Sequence, residues 1–374
     1  MAGIYIHIPF CSQACHYCDF HFSTSLKLKS DLIASICHEI TLQKGYLNNE
    51  AIETVYLGGG TPSLLDEGDL QQVFGALKES FEWTQVAEVT LEANPEDLTT
   101  AKLDTFKKLG VNRLSIGIQS FWDEHLRFMN RSHSSSQALK CVELAQKAGF
   151  ENISIDLIYG VPFGHHSLWQ NDLQKAIELN VPHISAYCLT IEEKTAFGQW
   201  QKTGKLAPID DHFAAEQFEM LVSVLESAGY EQYEISNFAM PGRYSKHNTA
   251  YWQQKPYLGI GPSAHSYNSV SRQYNVANNA AYIKALGESK IPTTMEVLEA
   301  NQAFNEYLLT TLRTMWGTSL ELAGTKFGVD LLKEKERELS LLHKEELLFT
   351  TDSTLYLTKK GKLFADEITS QLML

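Results

Sequence analysis

The feature that most constrains the fold is a regular alternation of strand-like runs and amphipathic helical stretches from the amino terminus to about residue 230. The runs are rich in β-branched and apolar residues and lie at 4–8, 54–57, 88–92, 113–118, 153–158 and 183–189. Strands that alternate with helices form a parallel sheet through right-handed crossovers. Six such units predict an α/β fold, an incomplete (β/α)6 barrel with its chemistry at the carboxyl ends of the strands.

The rest of the chain departs from this pattern. Residues 241–290 are rich in Gly, Pro, Asn and aromatic side chains, which predicts an irregular segment packed on its neighbours rather than a free linker. Residues 291–374 return to a helical pattern, with a hairpin signal at LLFTTDSTLYLT. We therefore expect a core at residues 1–240, an irregular segment, and a small, mainly helical, winged-helix-like carboxyl-terminal domain.

Charge and hydropathy argue against two classes of protein, nucleic-acid binders and transmembrane proteins. The formal net charge of the 374-residue chain is −14, which argues against a generic nucleic-acid binder because phosphate contacts need clustered Lys and Arg. No apolar run approaches the roughly 20 residues that span a bilayer, so we expect no transmembrane segment. The first strand begins almost at Met1, which leaves no visible signal peptide. These observations predict a protein of the reducing cytoplasm.

Three cysteines follow the first strand, as Cys11, Cys15 and Cys18 in IPFCSQACHYCDF. Iron–sulfur clusters usually take four cysteines, so three thiolates at this spacing can hold a [4Fe–4S] cube and leave one iron open to another ligand. The spacing favours redox chemistry on a small molecule bound at that iron.

Other uses of the cysteines stay open at this point. Zinc could take Cys15 and Cys18 with one nearby histidine, namely His7, His16 or His21, although no second CxxC or HxxxH follows at zinc-finger spacing. A disulfide would need an oxidising compartment. Core packing is the default expectation for the three remaining cysteines, Cys37, Cys141 and Cys188.

Glycines close the second predicted strand, as Gly58, Gly59 and Gly60, and Thr61 follows them. Residues without side chains let a backbone approach a ligand closely, and a nucleotide or an amino-acid head group would suit such a turn. A tight turn alone explains the triple glycine nearly as well. The position beside the cysteine loop favours the ligand site.

Polar residues mark the other strand ends in the same way. Glu92 ends the third run, Gln119 the fourth, Asp156 lies in the fifth, and Arg131 follows the fourth. An acid within an apolar strand is costly unless it is paired or bound to a ligand. Four polar residues at one barrel mouth predict a ligand site.

In this order, the motifs resemble those of radical S-adenosylmethionine (SAM) proteins and, more narrowly, the oxygen-independent coproporphyrinogen III oxidase (HemN-like) group, which includes the heme chaperones of the HemW branch. The similarity covers nearly the whole chain through IHIPFCxxxCxYCDF, YLGGGTPS, EANPE, RLSIGIQSF, NRxH, DLIYGVP, YEISNFA and HNxxYW. The resemblance implies a radical SAM barrel and a HemN-type carboxyl-terminal domain.

The resemblance implies a role for each residue of this sequence that matches a functional position of the family motifs. Cys11, Cys15 and Cys18 would hold the [4Fe–4S] cluster. The positions that match SAM contacts are Tyr5, Tyr17, Gly59, Gly60, Thr61, Glu92, Gln119, Arg131 and Asp156, of which the last three belong to a second SAM molecule in the oxidase. In the family, the reduced cluster cleaves SAM to a 5′-deoxyadenosyl radical that abstracts hydrogen from a substrate.

Two departures separate the chain from the oxidase. The oxidase carries CxxxCxFCxC, whereas here Asp19 and Phe20 follow Cys18, and its sizeable amino-terminal extension has no counterpart before Tyr5. Both features resemble the heme-binding branch, so we expect no coproporphyrinogen III oxidase activity.

The heme-binding branch implies a chaperone that binds the cluster, SAM and heme, and passes heme to an acceptor such as a respiratory hemoprotein. His247, in the HNxxYW segment, is the candidate heme ligand, because imidazole is a common axial ligand and aromatic side chains suit a porphyrin face. A structural role, with His247 capping a turn against the barrel, is the alternative at this position. Radical decarboxylation of coproporphyrinogen III is the alternative function.

Overall fold

Six parallel strands form the centre of the protein in the computed structural model, which describes residues 1–374. They pair in chain order as β1 (Ala2–Ile8), β2 (Ile52–Gly59), β3 (Glu88–Ala93), β4 (Arg113–Gln119), β5 (Asn152–Tyr159) and β6 (His183–Cys188). Each coincides with a predicted run to within two residues at either end. Parallel pairing sets all six carboxyl ends on one edge of the sheet, as the alternating pattern predicts.

Helices connect the strands and cover the outside of the sheet. They are α1 (Lys29–Leu42), α2 (Glu67–Ser80), α3 (Thr100–Leu109), α4 (Asp123–Phe128), α5 (Ser135–Lys147), α6 (His166–Glu178), α7 (Ala196–Lys202) and α8 (Asp211–Ser227). Side chains in the sequence fix several ends. Asp66 and Ser134 form capping boxes at the starts of α2 and α5. Gly110 caps the end of α3 with φ of 100°, a backbone conformation that favours glycine.

The sheet continues on both sides of the six parallel strands. Beyond β6 lie β8 (Asn237–Ala239) and β7 (Glu231–Glu234), and beyond β1 lie β9 (Tyr257–Ile260), β10 (His265–Tyr267), β11 (Ser271–Asn275) and β12 (Thr293–Val297). The outermost strands, β12 and β7, do not pair with each other, so the barrel stays open. This confirms the prediction of an incomplete barrel.

The segment at 241–290 is more regular than predicted. It contains α9 (Lys246–Trp252) and α10 (Asn279–Gly287) as well as β9, β10 and β11. The strand β9 pairs in parallel with the free edge of β1, with Tyr5 beside Gly259. These strands are only three to five residues long, so they show too little periodicity to be read from the sequence.

The carboxyl-terminal region has a core of its own. Its elements are α11 (Ala300–Thr311), β13 (Thr318–Ser319), α12 (Leu320–Phe327), α13 (Leu331–Glu334), α14 (Glu336–Lys344), β14 (Leu348–Thr350), β15 (Thr354–Leu357) and α15 (Ala365–Leu372). The predicted hairpin is confirmed as β14 and β15, which form an antiparallel sheet with β13. Sixteen buried residues form this second core, apart from the main core of 54. None of the helices in the chain is both long enough and apolar enough to cross a bilayer.

Candidate functional site

A cavity of about 470 Å³ lies at the carboxyl ends of the parallel strands. It brings together eleven of the residues predicted from the sequence: Cys11, Cys15, Tyr17, Cys18, Gly59, Gly60, Thr61, Glu92, Gln119, Arg131 and Asp156. They come from the loop after β1, from β2 to β5 and from the turn after α4. Their convergence follows from the parallel sheet, since neighbouring strands end at the same edge.

The loop that carries the three cysteines is held at both sides. At its base, Cys11 N–H donates to the Ser23 carbonyl at 3.1 Å, and Ser23 N–H donates to the Pro9 carbonyl at 2.8 Å. Farther along, His16 N–H donates to the Met129 carbonyl at 3.1 Å, which fastens the loop to the end of α4. These backbone hydrogen bonds therefore hold the cysteines at defined positions.

The donor set fits an iron–sulfur cluster. Cys11, Cys15 and Cys18 are free thiols that are partly accessible from the cavity. They do not converge on one ion-sized position, and a cube binds each thiolate at a separate iron. Burial raises the pKa of the Cys18 thiol to about 11, so binding of the cluster would release its proton.

The triple glycine serves the cysteine loop as well as the cavity. Gly59 has φ of 108°, and a Cβ there would lie 2.5 Å from His7 Nδ1. A Cβ on Gly60 would lie 2.7 Å from the Phe10 carbonyl oxygen and 2.8 Å from that of Ile8. The glycines therefore allow the end of β2 to pack directly on the backbone that leads into the cysteine loop.

Glu92 is a hydrogen-bonded acid at the end of β3. Its Oε1 accepts from the Tyr56 hydroxyl at 2.7 Å, and its Oε2 accepts from Gly59 N–H at 3.1 Å. Burial raises the pKa of Glu92 to about 7, with a smaller raising effect from Asp156. A cationic ligand in the cavity would favour the ionised carboxylate.

Arg131 is partly buried and supplies a positive charge to the wall of the cavity. Its Nη1 donates to Cys15 Sγ at 3.4 Å, and its Nη2 donates to Asn94 Oδ1 and to the Gly117 carbonyl, both at 2.8 Å. Its Nε has no partner. The unused donor fits an anionic or carbonyl oxygen of a bound molecule.

Asp156 and Gln119 complete the polar wall. Ser115 Oγ lies 3.4 Å from both carboxylate oxygens of Asp156, and burial raises the pKa of Asp156 to about 6. Gln119 has φ of 65°, a left-handed conformation that turns the end of β4 beside the cavity. The acids Glu92 and Asp156 and the guanidinium of Arg131 line the same cavity, so they suit a zwitterionic ligand that carries both an ammonium and a carboxylate.

Two residues predicted for ligand binding lie outside this cavity. Tyr5 stacks on Tyr56 at 6.0 Å and its hydroxyl lies 3.1 Å from His7 Nδ1. His247 is 1% exposed, with Nδ1 at 2.8 Å from Thr54 Oγ1 and Nε2 at 2.8 Å from the Tyr251 hydroxyl. Either ring nitrogen of His247 would have to give up a protein partner before it could bind iron.

The cavity also contains residues that the sequence analysis missed. Asn94, Ser115, Tyr187 and Cys188 line it. The expectation of core packing was wrong for Cys188. The last two residues of β6, Tyr187 and Cys188, are exposed, whereas the first four are buried. Asn94 directly follows β3, so its position after a strand end was the available signal, whereas Ser115 lies inside β4, four residues before Gln119, and had no such signal.

Core packing is confirmed for Cys141, which is 2% exposed in the main core. Cys37 is partly buried and packs against the same core.

Comparison with known proteins agrees with this geometry. Residues 5–170 match the Radical SAM superfamily. The chain covers all of its length and 90% of the coproporphyrinogen III oxidase HemN of Escherichia coli, a radical SAM enzyme, with a TM-score of 0.86. At 21% identity, this likeness shows a shared fold.

Sequence relatives are more specific. The chain is 35% identical to the heme chaperone HemW of Bacillus subtilis over 372 residues, which is 98% of each chain. It is 38% identical to that of E. coli over 266 residues, covering 70% of this chain and 69% of the relative. A mitochondrial radical S-adenosyl methionine domain-containing protein 1 of Danio rerio is 36% identical over 71% of this chain and 60% of its own. The chain belongs to the HemW family of the radical SAM superfamily.

Proposed function

We propose that this protein is a heme chaperone, which binds heme and passes it to an acceptor hemoprotein, such as a respiratory one, in the cytoplasm. The observation that carries the proposal is the similarity along nearly the whole chain to proteins named heme chaperone HemW. The radical SAM fold alone does not distinguish a chaperone from an oxidase, because the HemN structure shares it.

We further propose that Cys11, Cys15 and Cys18 hold a [4Fe–4S] cluster. When bound, such a cluster supplies one-electron reduction. The three thiols face one cavity and lie on a loop that the protein itself holds in place. SAM would lie beside the cluster, with its amino group toward Glu92. The resemblance gives Arg131 to a second SAM molecule, but Arg131 Nη1 lies 3.4 Å from Cys15 Sγ, so we assign it instead to the carboxylate of the SAM at the cluster. The observations that favour this orientation are the charges and the unused Nε of Arg131.

The residues of the cavity have separate tasks in this proposal. Glu92, held by Tyr56 and Gly59, accepts hydrogen bonds from the ammonium of the ligand. Arg131 is held by Asn94 and by the backbone of β4, so it offers its charge without a conformational change. Asp156 and Gln119 contact the part of the ligand farther from the cysteines, or a second small molecule.

Phe20 distinguishes the chain from the oxidase within this site. The oxidase motif has a cysteine at this position, and here a phenylalanine is 71% exposed at the mouth of the cavity. An exposed apolar ring beside the cysteines suits contact with a flat apolar ligand and cannot serve as a redox ligand.

The test is an anaerobic assay of the full chain after cluster reconstitution. Hemin is titrated into the protein, and the heme-loaded protein is then mixed with an apo-hemoprotein while the absorbance of the acceptor is followed. A parallel sample receives reductant, SAM and coproporphyrinogen III. We expect saturable heme binding, transfer to the acceptor and no decarboxylated porphyrin by mass spectrometry.

Two results would contradict the chaperone proposal. Decarboxylation at catalytic turnover would make the protein an oxidase despite Phe20. Absence of saturable heme binding by protein with a verified cluster would contradict the chaperone proposal.

A further inference from the structure

Arg113 is a buried cation in the interior of the barrel. It is 1% exposed, and its side chain is the largest of those that are fully buried. Arginine keeps its proton in proteins, so burial does not remove the charge. A buried charge is costly unless it is paired, so a partner for this guanidinium is expected.

None of the acidic side chains pairs with Arg113. Its guanidinium takes part in none of the salt bridges of the chain. Its Nε and Nη1 are buried and have no hydrogen-bond acceptor. Two donor atoms therefore remain free on one permanent positive charge.

Arg113 lies below the cavity of about 470 Å³ that the three cysteines line, the cysteine cavity. It precedes Ser115 by two positions on β4, and Thr90 precedes Glu92 by two positions on β3. Ser115 and Glu92 line the cysteine cavity. Side chains two positions apart on a strand lie on the same face of the sheet. Arg113 and Thr90 therefore lie on the inner face of the barrel, one row nearer to its amino-terminal end.

Thr90 adds a further donor beside the guanidinium. It is in register with Arg113 on the neighbouring strand, and paired strands lie about 4.8 Å apart. Thr90 is 0% exposed, and its Oγ1 also has no hydrogen-bond partner. A hydroxyl group donates as well as accepts. Three unused donor atoms thus lie at adjacent positions of one buried row.

The same row continues to Asn152, which is in register with Arg113 on β5. The amide oxygen of Asn152 is buried without a partner. Rotation of this amide by half a turn exchanges its oxygen and its nitrogen, which would offer a fourth donor.

The acids on this face of the barrel have other partners. Glu88 accepts hydrogen bonds from two backbone N–H groups at the start of α9, at 3.1 Å and 3.0 Å. Glu92 binds the Tyr56 hydroxyl and Gly59 N–H. Burial raises the pKa of Glu92 to about 7, so this carboxyl is partly protonated at neutral pH and balances Arg113 only in part.

From these observations we propose that Arg113 and Thr90 bind a small monovalent anion of halide size, such as chloride, inside the barrel. One permanent charge with three donor atoms matches a single small anion, whereas a phosphate dianion would bring more negative charge than Arg113 balances. Neither residue lines the cysteine cavity, so this anion site is independent of the proposed heme-binding function.

The first test locates the halide. Crystals of the full chain with its cluster are soaked in sodium bromide, and anomalous diffraction is measured at the bromine edge. We expect a peak in hydrogen-bond contact with the guanidinium of Arg113 and with Thr90 Oγ1. A peak at the protein surface alone would indicate an adventitious ion only and would contradict the proposal.

The second test measures affinity in solution. Melting temperatures are recorded against chloride concentration, with sodium gluconate keeping the ionic strength constant, because an anion that binds only the folded protein stabilises it. The variants are Thr90→Val, which removes a hydroxyl that has no protein partner, and Arg113→Gln, which removes the charge. Arg337→Gln is the control, since that side chain is exposed on α14.

Thr90→Val should weaken the apparent affinity for chloride about tenfold, as expected for the loss of one hydrogen bond to a charged group. Arg113→Gln should abolish the chloride dependence, and Arg337→Gln should match the wild type. If Arg113→Gln does not fold, the bromide position and Thr90→Val decide the question. Absence of bromide from this row, or a chloride dependence that Thr90→Val leaves unchanged, would overturn the proposal.

Discussion

Replacement of Glu39 by alanine should destabilise the protein markedly, because this acid joins α1 to the turn after β9, to β11 and to α10. The side chain is fully buried. Its Oε2 accepts from Gly261 N–H at 2.9 Å and from the Tyr282 hydroxyl, and its Oε1 accepts from the amides of Gln43 and Asn275, both at 2.8 Å. Four donors, each from a different element or turn, thus meet on one carboxylate.

The expected magnitude follows from the donors left without a partner. Asn275 keeps a second acceptor, the Gly261 carbonyl at 2.8 Å. The other three donors, on Gly261, Tyr282 and Gln43, have no second acceptor in the protein. A buried unsatisfied donor costs about 1–3 kcal/mol, so Glu39→Ala should lower the free energy of unfolding by at least about 3 kcal/mol.

Glu39→Gln should cost less, because its amide oxygen can still serve the Gln43 and Asn275 donors. It cannot accept from Gly261 N–H through the amide nitrogen, so about 1–2 kcal/mol should be lost. The assay is equilibrium urea unfolding followed by circular dichroism.

The control is Glu143→Ala on α5. That acid is 58% exposed and 3.7 Å from Lys147, and an exposed pair of this kind is worth at most about 0.5 kcal/mol. The reasoning would be refuted if Glu39→Ala cost under about 1 kcal/mol, or if the glutamine variant cost as much as the alanine variant.

Three further predictions concern the cysteine cavity. Gly60→Ala should lower the free energy of unfolding by about 1–3 kcal/mol and reduce the iron and sulfide content after reconstitution, because the added Cβ would overlap backbone atoms. The control is Gly75→Ala on α2, where an added Cβ meets no atom within 4 Å, and this variant should retain the cluster. Cys15→Ser should abolish the cluster absorbance and Cys188→Ser should keep it, and equal spectra would contradict the ligand assignment. Burial raises the pKa of Glu92 to about 7, so this carboxyl stabilises the fold below about pH 4.5 and that contribution is lost as the pH rises to 7. Melting temperatures of Glu92→Gln, measured from about pH 5 to 7, should therefore fall less than those of the wild type.

Local patterns were sufficient for the six parallel strands and the hairpin. A buried parallel strand is a short apolar run between turn signals, and such runs are visible without knowledge of the neighbours. The strands β9, β10 and β11 were missed because runs of three to five residues carry little periodicity. β9 pairs with the free edge of β1, β10 pairs with β9, and β11 pairs with β10, so tertiary interactions stabilise all three strands.

The sequence by itself determined the α/β class, the open barrel, the cysteine loop and the group of polar residues at the strand ends, because each depends on local patterns and on strands that end at the same edge. Only the tertiary structure decided which side chains remain available. His247 stands in a conspicuous motif, yet both of its ring nitrogens are bound to Thr54 and Tyr251. Arg113 begins an ordinary strand, and its buried guanidinium keeps two donor atoms without a partner. Hydrogen-bond partners drawn from distant parts of the chain decide this difference, and no local pattern records them.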